Sequence, residues 1–89
     1  MIHRVERHDL TEMAVSKFEP QLGTVHLIRC DRATPSRISR ALTALSGRCR
    51  AAGDQWDIGF LVMPTGRRYV VVADPAALLA KRPNHWFVQ

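Results

Sequence analysis

Along the chain, apolar positions recur either at every second residue or at every third to fourth, and these two periods separate strands from helices. Ile2–Arg7 reads as a first strand of weak alternation, with Ile2 on one face and Val5 on the other. A short helix is expected from Leu10 or Thr11 to Phe18. Asp9 can cap it, Glu12 follows three residues later as in a capping box, and Leu10, Met13, Ala14 and Phe18 recur at near-helical spacing. The alternative reads Met13–Phe18 as a strand edge, and Pro20 ends the segment in either case. Leu22–Cys30 is expected to be a strand, with Val25 and Leu27 on one face and Leu22, His26 and Ile28 on the other. Apolar groups on both faces place it inside a sheet.

The main helix is expected over 34–47. Thr34 suits the N-cap, Pro35 the first helical position, and Gly47 a C-terminal stop. Ile38, Ala41, Leu42 and Leu45 then form an apolar face roughly 100° wide, the width of a stripe that packs on a sheet. Arg37, Arg40 and, if the helix runs that far, Arg48 project within about 80° of one another beside it, as a basic ridge. Residues 49–54 read as a loop. Gln55–Met63 alternates, with Trp56, Ile58, Phe60 and Val62 on the face expected to be core, and Arg67–Ala73 carries a β-forming Tyr-Val-Val-Val run. Pro64-Thr65-Gly66 joins these two as a turn, so they should form an antiparallel hairpin. Asp74-Pro75 repeats the cap-then-proline pattern ahead of a short helix, Ala76–Lys81, with Leu78 and Leu79 inward. His85–Gln89 is expected to add a final strand.

The fold class that follows is α+β, one compact domain over 1–89. It has a small mixed or mainly antiparallel sheet of about four strands, with the 34–47 helix across a face and a short C-terminal helix. At 89 residues and 46% hydrophobic content, the chain is too short for a barrel enzyme and too apolar for a disordered segment. Its apolar runs, Tyr69–Ala73 among the longest, are far below a membrane span, and the charges at Arg4, Glu6, Arg7 and Asp9 leave no room for a signal-peptide core. No membrane partner and a cytoplasmic location are therefore expected. In that setting Cys30 and Cys49, which form no CxxC pair, should be buried free thiols, and Arg48 and Arg50 beside Cys49 could lower its pKa.

Charge adds a location. The chain carries 13 Lys+Arg against 8 Asp+Glu, a net +5. Residues 32–53 hold Arg32, Arg37, Arg40, Arg48 and Arg50 with no acid at all, so this one segment equals the whole excess. Arginine's planar fork of donors matches phosphate oxygens. The segment, with Arg67 and Arg68, is therefore the expected binding surface of a small, basic, non-catalytic protein that contacts nucleic acid or phosphate groups. A solvated helix face is the plainer reading of the same residues. One alternative function is a protein-interaction module, an accessory or inhibitory protein docking the same arginines on an acidic surface. The other is a toxin-like, metal-independent ribonuclease, for which His26 near Arg29, His85 near Arg82 and Tyr69 near Arg67 offer ingredients that no spacing brings together. No catalytic residue and no cofactor are expected. His3 and His8 lie near Glu6 and Asp9, but their spacing matches no common zinc pattern, so no metal is expected either. Trp86 and Phe87 on the terminal strand offer an interaction edge, through which the chain could form a homodimer.

Overall fold

The computed structural model describes residues 4–80. They form β1 (Arg4–Asp9), a single 3-10 turn (Val15–Lys17), β2 (Thr24–Arg29), α1 (Pro35–Ala52), β3 (Asp57–Val62), β4 (Arg68–Ala73) and α2 (Pro75–Ala80). The strands make one mixed sheet in the order β1-β2-β4-β3. β1 runs parallel to β2, and β4 is antiparallel to both β2 and β3. This is the α+β architecture expected from the sequence. The final strand expected over 85–89 lies outside the described residues.

The sheet has a core on each face because β2 and β4 are buried at nearly every position. Ile28, Val70 and Val72 face α1 and pack with Ile38, Ala41, Leu45 and Cys49. Val25, Leu27, Tyr69, Val71 and Ala73 face the other way and pack with Ala77 of α2. Leu27, Ile28, Leu45, Val70 and Val72 are fully buried. Strands covered on both sides lose the hydrophobic-polar alternation of a half-exposed strand.

α1 begins where Thr34 and Pro35 predict: the Thr34 hydroxyl accepts the Arg37 N–H at 3.3 Å, and Pro35 holds the first helical position. It does not stop at Gly47, and the expected loop over 49–54 is largely helix. Cys49 continues the buried stripe one turn beyond Leu45, and that burial outweighs the roughly 1 kcal/mol a mid-helix glycine costs. Gly53 closes the helix instead. Its φ of 126° belongs to glycine, and its N–H reaches the Arg50 carbonyl at 3.2 Å.

The helix expected over 10–18 does not form. The Asp9 carboxylate accepts the Thr11 N–H at 2.8 Å and the Thr11 hydroxyl at 2.6 Å, two residues on rather than three, so the capping box is never made. Leu10 and Phe18 are buried from opposite ends of an irregular segment whose only regular element is the 3-10 turn. The segment is a 14-residue connection between two parallel strands, counting 10–23.

The hairpin forms as expected, with Gly66 at φ 88° in its turn and the Met63 N–H donating to the Arg67 carbonyl at 2.8 Å. The expected core face of β3 holds over only half its length. Trp56 and Ile58 pack under α1, whereas Phe60 and Val62 are exposed, because β3 is the last strand in the described sheet and α1 does not reach its far end. In α2 the inward residue is Ala77, with Leu78 half-buried; Leu79, expected inward, is 89% exposed.

Asp74 ties α2 to the rest of the domain. It is 4% exposed; one carboxylate oxygen accepts the Ala77 N–H at 3.1 Å and the other accepts the Gly23 N–H. Replacing Asp74 with alanine removes a helix cap and strands two backbone donors, so a loss of about 2 kcal/mol is expected in urea unfolding. A loss below 0.5 kcal/mol, on the order of an ordinary surface change, would show that neither bond matters in solution.

Candidate functional site

The arginines of the expected surface fall into two groups. Arg32, Arg37, Arg40, Arg50 and Arg67 are exposed, and none is in an ion pair with a described residue. Arg32 lies in the loop leading into α1, Arg37 and Arg40 in its first two turns, and Arg67 in the β3–β4 turn. Arg50 is displaced from Arg37 by about 20 Å along the helix axis, from a rise of ~1.5 Å per residue.

Arg48 and Arg68 are turned inward as braces. Arg48 Nε donates to the Phe18 carbonyl at 2.8 Å, and its guanidinium stands 3.9 Å from Glu19, fastening the end of α1 to the 10–23 segment. Arg68 donates to the Asp31 carbonyl at 2.8 Å and approaches that of Cys30 at 3.4 Å. It thereby joins the hairpin to the loop that carries Arg32. The helical ridge read from the sequence thus keeps Arg37 and Arg40 and turns Arg48 toward the protein. Arg29 is also engaged: its guanidinium grips the Asp31 carboxylate through two N–H groups at 2.8 and 3.2 Å. That pairing raises the pKa of Arg29 and holds Asp31 below the usual carboxylate range.

A second cluster lies where β1 meets β2. Alternation puts Glu6 and His8 on one face of β1, and the parallel register sets Glu6 opposite His26. His8 Nε2 and His26 Nδ1 are 3.3 Å apart, and Glu6 Oε2 is 3.9 Å from the first and 4.0 Å from the second. The other Glu6 oxygen accepts from Arg4 at 2.9 Å. The Phe18 ring stands nearly perpendicular to both imidazoles, with centroids 5.6 Å from His8 and 5.0 Å from His26. Glu6, His8, His26 and Phe18 line an open groove of about 300 Å³, with Lys17 and Glu19 also at its walls.

His26 is 1% exposed, and its hydrogen bonds fix its tautomer. The Gln21 N–H donates to Nε2 at 3.2 Å, so in the neutral ring the proton sits on Nδ1 and is donated to His8 Nε2. Burial, reinforced by the neighbouring His8, pushes the His26 pKa down to about 4. The ring is neutral at physiological pH.

The ingredients weighed for a ribonuclease are not brought together among the described residues. His26 and Arg29, an odd number of residues apart in one strand, point to opposite faces, and Tyr69 belongs to the core on the face away from His26. His3, His85, Arg82 and the expected interaction edge at Trp86 and Phe87 lie outside the described residues. Cys30 and Cys49 are both buried and free, and burial raises both thiol pKa values. The expected lowering at Cys49 does not occur, since the Arg48 guanidinium is directed to the Phe18 carbonyl. No described helix is long and apolar enough to cross a membrane. Compared with known protein families, curated proteins and solved structures, the chain matches none.

Proposed function

We propose that the chain is a small basic binding protein that contacts nucleic-acid phosphates through Arg32, Arg37, Arg40 and Arg67, without catalysing a reaction. One observation carries this reading. In the acid-free segment 32–53 the fold leaves Arg32, Arg37 and Arg40 in solvent and draws only Arg48 inward, and Arg67 in the hairpin turn is exposed as well. An arginine with no carboxylate partner keeps its full fork of donors for an anion. Arg50 extends the same surface toward the far end of α1. A cytoplasmic setting goes with this reading, in which the buried thiols of Cys30 and Cys49 stay reduced.

Fluorescence anisotropy with a labelled single-stranded RNA and a labelled DNA duplex tests it, read between ~50 mM and ~200 mM salt. Affinity is expected to fall as a power of salt concentration. The Arg37→Glu/Arg40→Glu double variant should weaken binding and reduce the log–log slope by about 0.7–0.9 for each phosphate that these two arginines neutralise. Absence of salt-dependent binding to either probe overturns the reading. If a stoichiometric complex with one acidic protein accompanied that absence, the same arginines would be a protein-docking surface.

A further inference from the structure

We propose that Glu6, His8 and His26 form a binding site for a divalent transition-metal ion of the zinc type, with the open groove supplying the remaining coordination position. The inference rests on the β1–β2 cluster and is independent of the arginine surface. All three residues present a ligand atom, and these atoms lie within 4.8 Å of one another. Two imidazole nitrogens bound at ~2.0–2.1 Å to one tetrahedral ion stand about 3.4 Å apart. His8 Nε2 and His26 Nδ1 are already 3.3 Å apart, so the spacing fits and each ring need only rotate to turn its lone pair from the other nitrogen onto the ion. The Glu6 oxygen must close by about 0.5 Å to complete the set, a shift within reach of a half-buried side chain.

Two nitrogens and one carboxylate suit zinc, cobalt or nickel; magnesium and calcium take oxygen ligands. The donors are also held in place. The parallel ladder fixes Glu6 against His26, Phe18 packs on both rings, and Arg4 holds the free oxygen of Glu6 as an outer partner. His26, being neutral, is in the state that a ligand requires.

Two hydrogen bonds must change: the one between His26 Nδ1 and His8 Nε2 gives way to the ion, and the one at Gln21 provides a signature. With a metal on Nδ1, the His26 proton moves to Nε2, where the Gln21 N–H now donates. The Gln21 amide must therefore turn to water when the ion enters. Gln21 is exposed and outside the strand, so the change stays local.

The test uses the full chain without an affinity tag, stripped of metal and titrated with cobalt(II) and then zinc(II). Visible absorption, calorimetry and amide NMR serve as readouts. Expected are one-to-one binding, the intense visible bands of four-coordinate cobalt, their displacement by zinc, and a shift of the Gln21 amide. His8→Ala should abolish binding, and Glu6→Gln should weaken it roughly tenfold or more. Circular dichroism would show both variants folded, which the buried His26 does not guarantee. The proposal is overturned if cobalt gives only octahedral, weakly absorbing spectra, or if His8→Ala binds as well as the parent chain. It is equally overturned if binding is lost only on replacing His3 or His85.

Discussion

Leu45→Ala is expected to lower the unfolding free energy by about 3 kcal/mol. Leu45 is 0% exposed, at the middle of the only long helix among the described residues, and shares a cluster with Ile28, Val70 and Val72 beneath it. Truncation removes the transfer energy of the lost methyl groups and leaves a cavity that neighbours on two strands cannot collapse to fill. A domain of this size has on the order of 5–10 kcal/mol in total, so the variant should melt about 15 °C lower. Leu79→Ala is the matched control. The same atoms are deleted from a side chain that is 89% exposed, and the change should stay within about 0.5 kcal/mol. Urea unfolding of both variants measures the difference. Equal effects would mean that α1 does not pack on the sheet as described.

Acid should destabilise the metal-free protein through His26. The folded pKa of about 4 lies below the ordinary 6.5, so between these values the unfolded chain binds a proton that the folded chain refuses. The stability contributed by neutral His26 is complete above about pH 7 and is lost as pH falls toward 4. The full difference is about 3 kcal/mol, of which about 2 falls between pH 7 and 5. The groups facing His26 are Glu6 and His8 from β1 and Phe18 beyond the 3-10 turn, with Lys17 and Glu19 lining the same groove. Asp9, bonded to Thr11, and Asp31, bonded to Arg29, are both held below the usual carboxylate value, so they yield only at lower pH. Urea unfolding at the two pH values, with chelator present, should show this loss in the parent chain and a much smaller one in His26→Phe. A parent chain equally stable at both would show that His26 is not buried neutral.

How much of the fold is legible in the sequence depends on whether the cause is local. Thr34-Pro35 announces the start of α1 because a cap is made by neighbours in sequence. The β3–β4 hairpin is equally legible, since one turn joins its strands and Gly66 sits where a positive φ is needed. Gly47 misleads because its helix cost is overridden by Cys49, whose burial depends on strands far along the chain. Asp9 misleads because capping and turn formation compete for one carboxylate, and Thr11 offers both an N–H and a hydroxyl. The candidate sites divide the same way. An acid-free run of arginines is visible in the sequence, although the choice of Arg48 and Arg68 as braces is made by carbonyls at Phe18, Cys30 and Asp31. The histidine cluster is hidden. Glu6-x-His8 has the spacing of one strand face, but its third member is set by a parallel register across 20 residues, from 6 to 26.

The doubly covered strands β2 and β4 also bear on how this sequence can drift. From Thr24 to Ile28 and from Val70 to Asp74 every residue is buried, so neither strand has a face on which a random polar replacement is neutral. Mutations that survive should accumulate on the outer side of α1, in the 10–23 connection and along the exposed half of β3. Arg37 and Arg40 occupy that permissive ground. Descendants of this gene could therefore gain or lose basic charge at Arg37 and Arg40 without disturbing the fold, which leaves function rather than stability to decide whether those positions persist.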